Sequence, residues 1–116
     1  MIKKGIIDGF YPDQDTIPDG FIKTRYQIWS RTKVFVSMAR EELNLNQDLK
    51  RLADHYRNIN SRMVIIHGSE DRIVPVQNAR KLHEAINNSV LHVFPGIGHY
   101  VQFASPAEVK EILLNL

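Results

Sequence analysis

The spacing of apolar positions changes character along the chain. From Phe21 to about Leu43 the residues Ile22, Tyr26, Trp29, Val36, Ala39 and Leu43 fall at intervals of three, four and seven, which predicts a helix broken near Ser30-Arg31-Thr32. Asn46 is suited to cap a further helix, with Leu49, Leu52, Ala53, Tyr56 and Ile59 as its apolar stripe. The helical period then stops. Met63-Val64-Ile65-Ile66 is a continuous apolar run ended by His67-Gly68, the pattern of a strand buried on both faces of a parallel sheet. Pro75 suits the first turn of the next helix, where its missing N–H costs nothing, and Ala79, Leu82 and Ile86 share one face of it, with Asn87-Asn88 as its end. Val90-Leu91-His92-Val93-Phe94 predicts a second strand, and strand, helix, strand at this length is a βαβ unit with a right-handed crossover. Beyond the turn Pro95-Gly96-Ile97-Gly98, the sequence Ser105-Pro106-Ala107-Glu108 has the form of a capping box opening a last helix, whose stripe is Val109, Ile112, Leu113 and Leu116.

Residues 1–20 lack a period. Pro12, Asp13, Asp15, Pro18, Asp19 and Gly20 supply turn chemistry at short intervals, which predicts a loop with a short strand at Ile6-Ile7. The chain thus divides into a loop and helical segment, 1–60, and a βαβα unit, 61–116. Two parallel strands patterned for burial on both faces would leave unpaired backbone at each edge. Further strands are therefore expected, from chain outside this sequence or from a partner.

Composition narrows the class. With 43% hydrophobic and 24% charged residues in 116, the chain is typical of one globular domain. No apolar run approaches the roughly 18 to 20 residues of a membrane span. After Met1-Ile2-Lys3-Lys4 the polar and turn residues Gly5, Asp8 and Asp13 replace the apolar core of a secretory signal, so the cytoplasm is the expected location. Absence of cysteine removes disulfides, thiolate catalysis and cysteine-bound metal, and no pair of histidines has metal-ligand spacing; neither metal nor cofactor is expected. The net charge of +2 is spread evenly, with 10 basic and 8 acidic residues in 1–60 and 5 of each in 61–116, so neither nucleic acid nor a membrane is an expected partner.

Two loops carry the candidate chemistry. His67-Gly68-Ser69-Glu70-Asp71-Arg72-Ile73-Val74-Pro75 and Pro95-Gly96-Ile97-Gly98-His99-Tyr100 both follow predicted parallel strands at their C-terminal ends, where open α/β sheets place ligands and reacting groups. An aspartate there can accept the Nδ1–H of a histidine, which fixes the tautomer and stabilises the imidazolium formed when Nε2 takes a proton. Asp71 and His99 lie 28 residues apart, the length of one crossover helix and a strand. Considered singly, Asp71 is an ordinary turn or cap residue and His99 an ordinary loop histidine; together in these loops they form a candidate pair. His67 is expected to pack beside such a pair or support it, and His55, His83 and His92 to lie at the surface. Tyr26, Trp29 and Phe35 suit core packing better than an acyl pocket, whereas Tyr100 and Phe103 are better placed for one.

The stretch from Ile59 to Leu116 resembles the C-terminal end of an α/β-hydrolase. In that family a strand ends in glycine, the acid follows three residues later, Val-Pro opens the next helix and a Pro-Gly-x-Gly-His loop carries the base. Gly68, Asp71, Val74-Pro75 and Pro95-Gly96-Ile97-Gly98-His99 match in order and spacing. The resemblance implies a triad acid at Asp71 and a general base at His99. It also makes Phe21 to Ile59 similar to the later part of a helical cap, as in esterases and carbon–carbon bond hydrolases of the ring-fission type. Arg62 departs from the family's usual proline before the strand. More seriously, the family's Gly-x-Ser-x-Gly elbow is absent: none of Ser30, Ser37, Ser61, Ser69, Ser89 and Ser105 has glycine two residues to either side. The oxyanion-hole segment is missing too.

The expected function is that of the C-terminal part of a serine-type hydrolase acting on a small-molecule ester or related acyl or carbon–carbon bond. Such a chain supplies acid and base without the nucleophile and is inactive alone. The alternative is a non-catalytic, truncated hydrolase-like protein that works by self-association or partner binding. Acyltransferases and dehalogenases of the same fold share Asp71 and His99 as candidates and remain open.

Overall fold

The computed structural model describes residues 2–116. It begins with helix α1, Ile2–Asp8, where the sequence predicted a loop and a short strand. Ile6 and Phe10, four apart, both bury to 1% exposure, while Lys4 and Asp8 form an i, i+4 ion pair on the outer side. The turn residues that follow obscure these roughly two amphipathic turns. A 3-10 turn at Gln14–Thr16 leads into α2, Phe21–Trp29, and α3, Thr32–Ala53, with the break between them at Ser30-Arg31 as the apolar spacing predicted.

Helix α3 runs unbroken through Asn46, so that residue is not a cap. Its neighbours Glu41, Glu42, Leu43, Leu45, Gln47, Leu49 and Lys50 are good helix formers, and one internal asparagine costs at most about 0.7 kcal/mol against alanine. An Asp48–Arg51 pair at 3.2 Å supports the continuation. The helix ends at Ala53, and Tyr56–Asn58 forms only a 3-10 turn. No residue of α3 is buried, and Phe35, Leu43, Leu45, Leu49 and Leu52 are all exposed. None of the described helices is long and apolar enough to cross a membrane.

Strands β1, Met63–Gly68, and β2, Ser89–Phe94, pair in parallel from Met63 opposite Ser89 to Gly68 opposite Phe94, joined by helix α4, Val76–Ala85. Among the described residues the sheet has these two strands. Their apolar residues are half-buried rather than buried on both faces, and Val90 is 42% exposed, because each strand has only one neighbour. Ala79 and Ile86 bury against the sheet as predicted. Helix α4 stops before Asn87-Asn88: Ser89 Oγ donates to the Ile86 carbonyl at 2.7 Å, while the Asn88 carbonyl accepts the Met63 N–H at 2.9 Å and so begins the sheet instead.

After β2 come a one-turn helix, α5, Val101–Ala104, and α6, Pro106–Leu114. Pro106 opens α6 as expected, but the capping box does not form. Ser105 makes no side-chain cap, and its N–H is already donated to the Val101 carbonyl at 2.8 Å, leaving Glu108 no reciprocal donor. Val109 and Ile112 are half-buried whereas Leu113 and Leu116 are exposed, so the last stripe is only partly covered. Arg62 has a part here: its Nη1 donates to the Leu116 main-chain oxygen at 2.7 Å and ties the start of β1 to the end of α6. The densest packing is aromatic, with Phe10 against Tyr100 at 4.4 Å between ring centroids, Phe21 at 5.3 Å and Phe103 at 5.6 Å. Tyr100 and Phe103 are half-buried, with one side of each ring packed on Phe10.

Candidate active site

Gly68 ends β1 at a point where a side chain has no room. A Cβ there would lie 2.2 Å from the carbonyl oxygens of Ile97 and Gly98, so only glycine lets the second loop close on the strand end. The two loops are then laced by hydrogen bonds. Ser69 N–H donates to the Phe94 carbonyl at 2.9 Å, Glu70 N–H to the Ile97 carbonyl at 2.9 Å, and Gly96 N–H to Ser69 Oγ at 2.8 Å. Gly96 itself has φ +74°, in the left-handed region that turns the chain back toward β1.

This lacing brings the two predicted residues together. Asp71 Oδ1 accepts the backbone N–H groups of Ile73 at 2.8 Å and Val74 at 2.9 Å, a local turn that fixes the carboxylate plane. Its Oδ2 lies 2.8 Å from His99 Nδ1. A carboxylate only accepts, so Nδ1 carries a proton, and in the neutral ring the lone pair is then on Nε2. The Asp71 side chain is 3% exposed and that of His99 33%, which puts the acid inside and the histidine at the rim. Burial pushes the Asp71 carboxyl toward neutrality, but the Val74 N–H, His99, the Ile73 N–H and the charge of His99 together outweigh it, and the pKa falls below 3.8. At neutral pH Asp71 is the anion that a histidine accepting a proton at Nε2 requires.

His67, at the end of β1, stands beside the acid, as expected. Its Nε2 is 3.5 Å from Asp71 Oδ2, and its Nδ1–H donates to the Gly68 carbonyl at 2.9 Å. Three residues that bear on these loops carried no recognisable signal. Asp13 Oδ2 accepts the Gly98 N–H at 2.8 Å, and the Arg72 guanidinium lies 3.3 Å from the centre of the Tyr11 ring. Asp13 has the look of a turn residue in sequence; its partner is 85 residues away, beyond the reach of any periodic pattern. Open grooves elsewhere, one between α1 and α2 beside Lys3 and Tyr26 and one between the sheet and α6 beside Val64 and Ile112, do not include Asp71, His67 or His99. Among the described residues no group of three or more acidic, histidine or cysteine side chains is arranged for a metal ion.

Comparison with known proteins gives a consistent family. The family model for the alpha/beta hydrolase fold matches residues 17–106. A 2-hydroxymuconate semialdehyde hydrolase of Pseudomonas putida is 33% identical over 114 residues, covering 95% of this chain and 41% of the relative. A 2-hydroxy-6-oxo-2,4-heptadienoate hydrolase of Pseudomonas putida is 31% identical over 101 residues, covering 84% of this chain and 37% of the relative. Among solved structures, the meta-cleavage product hydrolase CumD superposes with a TM-score of 0.77 at 21% identity over 98% of this chain and 43% of that one. The chain therefore spans about two fifths of the length of these relatives, all of them hydrolases. With a family model over most of its length and the same fold in CumD, the chain belongs to the α/β-hydrolase fold family.

Proposed function

We propose that the chain supplies the acid and the general base of a serine-type hydrolase, with the nucleophile on polypeptide outside these 116 residues. The observation that carries this reading is the 2.8 Å contact between His99 Nδ1 and Asp71 Oδ2, with the other carboxylate oxygen pinned by two backbone N–H groups. His99 Nε2 takes the proton of a serine hydroxyl as its oxygen bonds to the substrate carbonyl carbon. Asp71 stabilises the resulting imidazolium, which then returns the proton to the leaving group. Water enters by the same route, losing a proton to Nε2 as it attacks the acyl-enzyme, and the imidazolium passes that proton to the serine oxygen as the acyl bond to it breaks. The substrate class is a small molecule with an ester, acyl or activated carbon–carbon bond. Relatives whose names specify 2-hydroxymuconate semialdehyde and 2-hydroxy-6-oxo-heptadienoate favour the carbon–carbon bond of such ring-fission products.

The experiment is to assay the chain by itself on a nitrophenyl ester and on 2-hydroxymuconate semialdehyde, beside His99→Ala. Equal, background-level rates are expected, since a base without its nucleophile turns nothing over. Turnover that disappears in His99→Ala would show that the nucleophile lies within the chain after all.

A second reading has its own observation. The open apolar side of α3, with Phe35 59% and Leu43 81% exposed, suits a non-catalytic protein that associates with itself or a partner. Sedimentation that stays monomeric over a wide concentration range would remove self-association.

A further inference from the structure

We propose that residues 9–13 form a strap that holds the acid and base loops in register, and that Asp13 is a positioning residue for His99; this rests on the reading of Asp71 and His99 as acid and base. The strap touches the neighbours of both. Asp13 Oδ2 accepts the N–H of Gly98, directly before His99, and the Tyr11 ring lies under the guanidinium of Arg72, directly after Asp71. Asp13 is itself fixed, because its carbonyl accepts both the N–H of Thr16 at 3.0 Å and the Thr16 hydroxyl at 2.7 Å. Main chain also packs on main chain: a Cβ on Gly98 would fall 1.9 Å from the Tyr11 carbonyl oxygen. The strap is anchored behind by Phe10, 1% exposed against Tyr100 and Phe103, and by Gly9, where a Cβ would meet the Tyr100 ring at 2.9 Å.

The physical need is clear from the loop. Gly96 and Gly98 flank Ile97; bonds to the first loop hold Gly96 N–H and the Ile97 carbonyl, which leaves the second glycine, directly before His99, as the least restrained point of the turn. The sheet fixes where β2 ends but not the direction the histidine takes. A carboxylate accepting the Gly98 N–H is a charge-assisted hydrogen bond that removes this freedom one residue before the ring. Loss of Asp13 should therefore loosen the His99–Asp71 hydrogen bond while leaving the Asp71 turn with Ile73 and Val74 intact.

The test is proton NMR of the full chain, following solvent exchange of the His99 Nδ1–H, with Asp71→Asn marking loss of the pair. In Asp13→Ala this exchange is expected to speed up about tenfold, as loss of one charge-assisted bond implies, with the Val74 amide unchanged. Asp13→Asn keeps an acceptor oxygen and should restore most of the protection. If Asp13→Ala does not fold, Asp13→Glu shifts the acceptor by one methylene in a chain of unchanged charge, and should also speed exchange. Exchange at the original rate in the folded variant would overturn the strap and leave the acid–base pair standing. A native Nδ1–H signal unaffected by Asp71→Asn would instead overturn the pair itself, and with it the reading on which the strap depends.

Discussion

At the scale of single residues the site depends on where carboxylate oxygens and missing side chains sit. Asp71 has its pKa lowered in the fold, so its ionised form contributes stability that is present above the unfolded value near 3.8 and lost as pH falls through the lower folded value. Urea unfolding of the native chain and Asp71→Asn should show a stability advantage for the native chain at pH 6 that shrinks as pH drops below about 3.8. An advantage independent of pH would mean that the carboxylate charge is not what these hydrogen bonds hold. Gly68→Ala puts a methyl 2.2 Å from two carbonyl oxygens, both backbone, and is expected to cost about 1 to 3 kcal/mol and part the two loops. Thermal unfolding checks the cost, and the His99 Nδ1–H signal checks the parting. Asp71, His99 and Gly68 were legible in sequence because each sits at a fixed offset from a strand end. Asp13 was not, because a turn aspartate with a local role and one bonded 85 residues away look alike in sequence.

Among elements, local signals succeeded where one pattern acted alone. The two strands, α4 and the break between α2 and α3 follow from runs and periods that nothing nearby contradicts. Errors arose where cap residues competed with the helix or with a neighbouring turn. Asn46 lies exposed inside α3, so Asn46→Ala should stabilise the chain by up to about 0.7 kcal/mol, whereas removal of a true cap would destabilise it by about 1 kcal/mol. Ser105 is the parallel case. With its N–H bonded to the Val101 carbonyl and no hydroxyl cap on α6, Ser105→Ala should cost less than about 0.5 kcal/mol, below the usual value for a capping serine. Urea midpoints of the two variants decide both points. Helix α1 was missed for a simpler reason: Ile6-Ile7 is adjacent in sequence, and only the burial of Ile6 with Phe10 reveals which of the two faces inward.

The whole molecule is open for its length. Its Cα radius of gyration is 16.0 Å, against roughly 13 Å for a compact domain of about 100 residues. The excess goes with α3, whose apolar side is uncovered, and with a sheet of two half-buried strands. Both features fit a chain that spans about two fifths of its relatives' length. The family was legible from the Asp71 and His99 loops, whose residues stand at fixed offsets from the ends of the two strands.

The proposal that this chain provides acid and base to a nucleophile held elsewhere is tested most directly by complementation. The 116-residue chain is mixed with the preceding part of a related hydrolase, carrying its Gly-x-Ser-x-Gly elbow, and hydrolysis of 2-hydroxymuconate semialdehyde is followed. The expected result is turnover by the mixture that neither part shows alone, abolished by His99→Ala and strongly reduced by Asp71→Asn. Turnover by the mixture that survives His99→Ala would contradict the assignment of the base.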